Sequence, residues 1–493
     1  MTIMLMYPLL SKRRALVDEN KQYWPPLGLA YLASVLIENG HHCEIIDRDM
    51  VLRKNGLDFD KTDEYTLRRI KELKPNIVGI SVTTPNVPDV IHMSSLIKNN
   101  FRDIMVIVGG PHVTGAPVRT LEEIAFCDVA VRGEGEFTLL ALAQGRELAG
   151  IHGITYRKGN EIISNPGREV ISDIDSLPLP ARHLLDMKFY TRPSRFTSRN
   201  LNLRTTSIFT ARGCPYRCNF CAGPLVFNGN VRFHSPGRVI KEIEMLIAEY
   251  EVEALYFAED MFLSSKKRAE ELLNLFIERS IPEKIKWIAQ AKASIITEDL
   301  LSLMKRAGCV GIEYGFESGS QRVLDLMNKK LKVEDSLKAA ALTRKARLRF
   351  QANIIVGYPG EKVADFNETM RFIKKVRPSM VGFNIFMPLP GTPSYQSLVR
   401  EGRALPRWEE IGDQEAPREN YADMPDHVFE KLYLHARLKV VLPINLRNFI
   451  LDNAKNPLRL FKVGSTQFKG VLIKIARAVT RLNALNRRTR WVK

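Results

Sequence analysis

Short apolar runs alternate with helix-length amphipathic segments from Ile3 to Phe386, and this alternation constrains the fold more than any other feature. In the first 145 residues the runs are Ile3–Met6, His42–Ile46, Ile77–Val82, Met105–Val108 and Val129–Val131. Helical periodicity fills Pro26–Glu38 and Val87–Lys98, and a further helix follows Glu136. Apolar strands separated by helices predict a parallel sheet covered on both faces. In such sheets ligands bind beyond the carboxyl ends of the strands. Those ends carry Thr83-Thr84, Gly109-Gly110-Pro111-His112 and Arg132-Gly133-Glu134-Gly135-Glu136. Small residues there let backbone approach a large flat ligand. On periodicity alone, ordinary strand-end turns explain the same residues equally well.

A chain of 493 residues, 45% hydrophobic and 26% charged, has material for several globular domains. Residues 153–168 predict a hairpin around Lys158-Gly159-Asn160. Asp175–Pro180 followed by Ala181-Arg182 reads as a proline-marked linker without chemistry of its own. Beyond it, apolar strands recur at Ser207–Thr210, Ala254–Phe257, Trp287–Ala289, Val310–Phe316, Ala352–Val356 and Met380–Phe386. Amphipathic helices separate them, Ser264–Arg279 and Asp335–Ala346 among them. The longest uncharged stretch, Pro378–Val399, carries four prolines and suits loops and a strand rather than a membrane helix. At the N-terminus the apolar run precedes the basic cluster, the reverse of a signal peptide, so a cytoplasmic protein is expected.

Six cysteines occur, and three of them, Cys214, Cys218 and Cys221, fall in the spacing C-x3-C-x2-C. Cys43, Cys127 and Cys309 sit in apolar contexts and read as core residues. Clustered thiolates bind soft metals, either zinc or iron–sulfur. Structural zinc takes four ligands, commonly as two separated pairs, and this compact triad has no Cys or His pair nearby. Cubane clusters usually take four thiolates, so three leave one iron open for a substrate or cofactor.

The triad, with Phe220 directly before its last cysteine, resembles the signature of radical S-adenosylmethionine (SAM) enzymes. The segment before it is similar to the cobalamin-binding domain that precedes such barrels. It matches through Pro25-Pro26-Leu27-Gly28-Leu29, Gly109-Gly110-Pro111-His112 and Arg132-Gly133-Glu134-Gly135-Glu136, in that order. The resemblance covers residues ~1–400 and implies an α/β chain. A doubly wound, flavodoxin-like cobalamin-binding domain would occupy 1–145, with a hairpin and linker over 146–200. A partial (β/α)6 radical SAM barrel would follow over 201–400, and a basic helical region over 401–493. The cofactors implied are a 4Fe–4S cluster on Cys214, Cys218 and Cys221, SAM and cobalamin. Phe220 is implied as the adenine contact, Glu259 and Asp260 as ammonium contacts, Glu317 and Ser318 as ribose contacts, and Ile355 and Gly357 as flanking the adenine. Gln290 is a candidate polar contact. Thr83, Thr84, Gly109, Gly110, Pro111, His112, Gly133, Glu134 and Gly135 are implied to cradle cobalamin. The chain has no Asp-x-His-x-x-Gly, so the corrin would lack the lower histidine ligand of another cobalamin class.

The activity implied is methyl transfer to a poorly activated centre, with cyclisation or rearrangement without net methylation as the alternative. A tRNA methylthiotransferase would carry three further N-terminal cysteines, where this chain has only Cys43 and Cys127. No general acid or base stands out. The net charge of +18 is concentrated at one end: Lys431–Lys493 holds 15 basic residues and one acid. Within it, Leu472, Ile475, Val479, Leu482 and Leu485 recur at helical spacing among Lys469, Lys474, Arg477 and Arg481. A basic amphipathic helix of this kind lies at an anionic membrane surface or packs its apolar stripe back on the barrel. The first reading would bring residues 465–493 to the inner face of a membrane and fit a lipid-like substrate. Aromatic stacking residues are scarce there, Phe468 and Trp491 alone, which disfavours nucleic acid. The substrate is expected to be a small or lipid-like molecule, and reduction to need an electron donor such as flavodoxin or ferredoxin.

Overall fold

A computed structural model describes residues 1–10, 23–193, 203–408 and 420–453. The first sheet has seven strands: β1 (Thr2–Tyr7), β2 (His42–Asp47), β3 (Ile77–Ser81), β4 (Met105–Gly109), β5 (Val129–Val131), β6 (Ile154–Lys158) and β7 (Glu161–Ser164). Their order is β2-β1-β3-β4-β5-β6-β7, with the first five parallel. The order 2-1-3-4-5 is the flavodoxin-like doubly wound arrangement, whose switch point lies between β1 and β3. Separate apolar cores cover the two faces. This is why the parallel strands read as unbroken apolar runs.

Two features differ from the sequence expectation. The hairpin β6–β7 is not a connector: β6 pairs antiparallel with β5 and extends the first sheet. The proline-marked linker is not inert either. Arg182 is 1% exposed, ion-pairs with Glu242 at 2.8 Å and donates to the Ser207 carbonyl at 2.8 Å, so the linker is a seam against the second domain. Helices Arg48–Lys54 and Phe59–Leu73 also escape the periodicity reading. The buried positions of the second are Thr62, Thr66 and Ile70, a helical stripe too polar to stand out. Both helices are capped at their N-termini by aspartates, Asp47 and Asp58.

The second sheet is built from β8 (Thr205–Ile208), β9 (Ala254–Phe257), β10 (Lys286–Ala291), β11 (Cys309–Glu317), β12 (Arg349–Val356) and β13 (Met380–Ile385). All six are parallel and neighbours follow chain order, the open arc of a partial barrel. Helices such as Pro236–Tyr250 and Lys266–Glu278 pack on the outer face. There Phe257, Phe262, Phe276 and Trp287 form an aromatic cluster, with Trp287 Nε1 donating to the Ala307 carbonyl at 2.7 Å. Edge strand β13 is covered by helix Leu442–Asn453: Asn445 accepts from the Val381 N–H at 2.8 Å and donates to its carbonyl at 3.2 Å. That pairing satisfies edge groups that would otherwise template aggregation. Cys43, Cys127 and Cys309 are buried. The basic stripe from Phe468 to Leu485 lies outside the described residues. Among the described residues no helix is long and apolar enough to cross a membrane.

Removing one partner of a buried ion pair leaves the other charge uncompensated. Arg182→Ala should therefore destabilise the protein by about 3–5 kcal/mol, read as a lower urea midpoint by circular dichroism. An unchanged midpoint would show that the seam does not need the pair.

Candidate active site

The chain leaves β8 and forms a two-residue ribbon, Ala211–Arg212 against Arg232–Phe233, before and after the cysteine loop. Gly213 makes the turn into the loop at φ +90°, and a Cβ there would lie 2.0 Å from the Asn230 carbonyl oxygen. Cys218 is buried, while Cys214 and Cys221 are half-buried. Cys221 Sγ accepts from the Gly223 N–H at 3.4 Å. Burial pushes all three thiols up, Cys221 to about 11. Among the described residues no three His, Cys, Asp or Glu side chains converge as a single-ion site. Thiols spread along one loop, without a fourth ligand, suit a polynuclear cluster better than one ion.

Two lysines missed in the sequence stand beside this loop. Lys292 Nζ lies 3.2 Å above the Tyr216 ring, and burial next to Lys329 pulls it down to about 8. Lys329 Nζ donates to Glu317 Oε1 at 2.7 Å and lies 5.8 Å from the Phe220 ring centroid. Gly315 makes room for that pair: a Cβ there would sit 2.5 Å from Glu317 Oε1 and 2.9 Å from Lys329 Nζ. Two ammonium groups offset the negative charge of clustered thiolates, so the donor set fits an iron–sulfur cluster. Lys292 was findable as the basic residue directly after β10, at the strand end that carries Gln290. Lys329 lies in a loop with no periodic signal.

The residues proposed around the triad divide. Phe220 and Ile355 both pack against the buried cluster that includes Tyr358 and Phe386. Glu317 adopts φ +60° and faces Lys329. Gln290 donates to the Tyr256 hydroxyl at 2.8 Å. Asp260 is exposed on the cavity wall beside Gly223. Glu259 also borders the cavity, but Thr210 donates to it from both hydroxyl (2.7 Å) and N–H (3.3 Å), so its carboxylate ties β9 to β8. Ser318 is wholly buried, its hydroxyl 3.0 Å from that of Thr369. Gly357 sits at φ +79°, where a Cβ would meet the Phe429 ring at 2.8 Å.

A cavity of about 290 Å³ separates the two domains. Its first wall includes Gly28, Gly109, Gly110, Pro111, Gly133 and Gly135; its second includes Phe209, Arg212, Phe227 and Asp260. A Cβ at Gly28 would meet no atom within 4 Å, and one at Gly133 only the Val226 carbonyl oxygen at 3.8 Å. Gly28 and Gly133 thus border open space, and a cradle of this kind fits a flat ring such as a corrin. Thr83, Thr84 and His112 do not line it. His112 is buried against the Trp408 ring edge with Nδ1 3.2 Å from Thr84 Oγ1. Thr83 caps the turn Thr84–Asn86 through Asn86. Ser81 borders the cavity in their place. Glu134 reaches the cavity edge but is held by Arg212 at 2.7 Å, Arg232 at 2.6 Å and the Ile171 N–H at 2.9 Å.

Residues 13–143 match the model of the B12 binding domain, and residues 208–373 that of the Radical SAM superfamily. The chain is 35% identical over 385 residues to an uncharacterised methyltransferase of Pyrococcus horikoshii, across 77% of this chain and 80% of the relative. It is 29% identical over 384 residues to an anaerobic magnesium-protoporphyrin IX monomethyl ester cyclase of Cereibacter sphaeroides, across 76% of this chain and 60% of the relative. Among solved structures it is similar in fold to the radical SAM methyltransferase TsrM of Kitasatospora setae (TM-score 0.66, 20% identity, 81% of this chain and 76% of that one).

Just past Gly357, Glu361 is wholly buried; Oε2 accepts from the Gly357 N–H at 2.5 Å and Oε1 has no partner. Burial raises it from 4.5 to about 8. Between those values the folded chain keeps a proton that the unfolded chain has released. Its stability contribution is therefore complete below 4.5 and is lost as pH rises toward 8, by up to ~1.4 kcal/mol per pH unit. Glu361→Gln keeps the acceptor and cannot ionise, so its stability relative to wild type should rise between pH 5.5 and 8. Parallel denaturation midpoints over that range would contradict this.

Proposed function

The chain belongs to the family of radical SAM enzymes that carry a B12-binding domain, and from that premise we propose that it transfers a methyl group to a poorly activated centre of a small molecule. The observation that carries the reading is one cavity with glycine strand ends on the first domain and, on the second, Gly213 at the entry to the three-thiol loop and Asp260, which shares the surroundings of Gly223 with Cys221. Cys214, Cys218 and Cys221 would hold a 4Fe–4S cluster, and Gly109, Gly110, Pro111, Gly133 and Gly135 would lie against cobalamin. When bound, these groups with SAM supply radical and methyl-transfer chemistry. The chain's own residues bind, orient and shield. Lys292 and Lys329 offset negative charge beside the thiols and can take a carboxylate. Phe220, Ile355 and Gly357 offer an apolar slot for an adenine, while Asp260, Gln290 and Glu317 offer it polar contacts. The apolar cavity wall excludes water, which strengthens every electrostatic contact within. Cyclisation without net methylation is the second reading, supported by the relative named as a cyclase.

Replacing Cys214, Cys218 and Cys221 by Ala should abolish both the brown chromophore and the reductive cleavage of SAM. Full cluster iron in that variant would sink the assignment. A flavodoxin- or ferredoxin-type protein would deliver the electron, which reduction of the reconstituted enzyme by such a donor tests. The charge of the C-terminal region supports a peripheral contact with anionic lipid and a lipid-like substrate. Full-length protein should then sediment with anionic vesicles at moderate salt while a chain ending at Lys462 does not. Equal partitioning would remove both ideas.

A further inference from the structure

We propose that the concave face of the barrel carries a recognition row for an amino group of the substrate, with Glu313 as its counter-charge and Gln351 as a second acceptor. The proposal rests on the methyl-transfer reading given above. Along β10, β11 and β12 the outward residues Ala289, Ile312, Tyr314, Phe350 and Ala352 belong to the core under the helices. Their alternates therefore face inward. Register places Gln290 beside Glu313, and Glu313 beside Gln351.

Inward positions of such barrels are ordinarily filled by branched apolar side chains. Here they are polar across adjacent strands. Tyr256 donates to Glu313 Oε2 at 3.2 Å and accepts from Gln290 Nε2 at 2.8 Å. Gln351 Nε2 donates to Asn353 Oδ1 at 2.7 Å. Gly382 on β13 keeps this row clear, since a Cβ there would lie 2.4 Å from Asn353 Oδ1.

The row is unfinished in one direction only: it lacks donors. Glu313 is 7% exposed, and among the described residues no ion pair engages it. Lys292 and Lys329 are drawn to Tyr216 and Glu317, and Arg349, one inward position earlier on β12, reaches Asn448 at 3.4 Å. Gln351 Oε1 is buried without a partner. A buried carboxylate with no cation is costly, as is an orphaned buried acceptor. An ammonium group satisfies both at once. Trp24, from the first domain, stacks on Tyr256 at 5.1 Å and adds an aromatic face that also favours a cation. Burial raises Glu313, so an incoming cation would draw it back to the ionised form.

The test uses three probes of one shape, 2-phenylethylamine, 2-phenylethanol and phenylacetate, titrated into cofactor-loaded enzyme. The amine should bind roughly tenfold tighter than the alcohol, and the acid weakest. Glu313→Gln should erase the preference for the amine, and Gln351→Met should reduce it. Equal binding of amine and alcohol by wild type overturns the proposal, as does a preference intact in both variants. Tighter binding of the acid overturns it too, by showing Glu313 to be a neutral donor. Cleavage of SAM by the same wild-type preparation reports the parent reading. Cleavage without amine preference defeats the recognition row alone, whereas loss of cluster and cleavage defeats the methyl-transfer reading.

Discussion

Everything the cavity can do depends on one buried charge cluster at the domain seam. Arg212, two residues before the first cysteine, bonds Glu134 and Glu136 at 2.7 Å each, and Arg232 bonds Glu134 at 2.6 Å. The glutamates belong to the glycine-bearing loop after β5, and the arginines to the ribbon that brackets the cysteine loop. The two walls of the cavity are thus tied through the same four side chains. Such a cluster is poor evidence of net stability, because desolvation cancels much of the attraction. Its value is geometric: planar guanidinium forks accept few arrangements, so they help fix the distance between the two loops.

The architecture was legible because parallel strands buried on both faces cannot hide. β5 and β9 occur where the apolar runs predict them, and the others within a few residues. The cysteine triad was legible because covalent chemistry demands its residue types at close spacing. The hairpin's place was not, since β6 and β7 look alike whether they dangle or extend a sheet. Thr83, Thr84, His112 and Ser318 share a lesson. A strand end names a neighbourhood, but alternate residues in it point to opposite sides, and a turn of one residue sends a hydroxyl into the core. Glu259 shows the converse, a cavity residue whose carboxylate is already spent on Thr210.

The barrel's inner face gives up packing for function. Gly315 and Gly382 leave space beside Glu317 and Asn353 where ordinary barrels would place branched side chains. A polar interior of this kind weakens the fold, and the outer face compensates. Tyr314, Phe316, Phe350 and Phe372 interlock behind β11 and β12, while the Phe257–Trp287 cluster does the same behind β9 and β10. Strands β10, β11 and β12 therefore carry aromatic side chains outward and polar ones inward. The strand's two-residue period separates these roles, so inward residues such as Gln290, Glu313 and Gln351 can change with the substrate while the outward core stays intact. On the proposal of a recognition row, specificity would be a property of one strand face, separate from the loops that hold the cysteines and glycines.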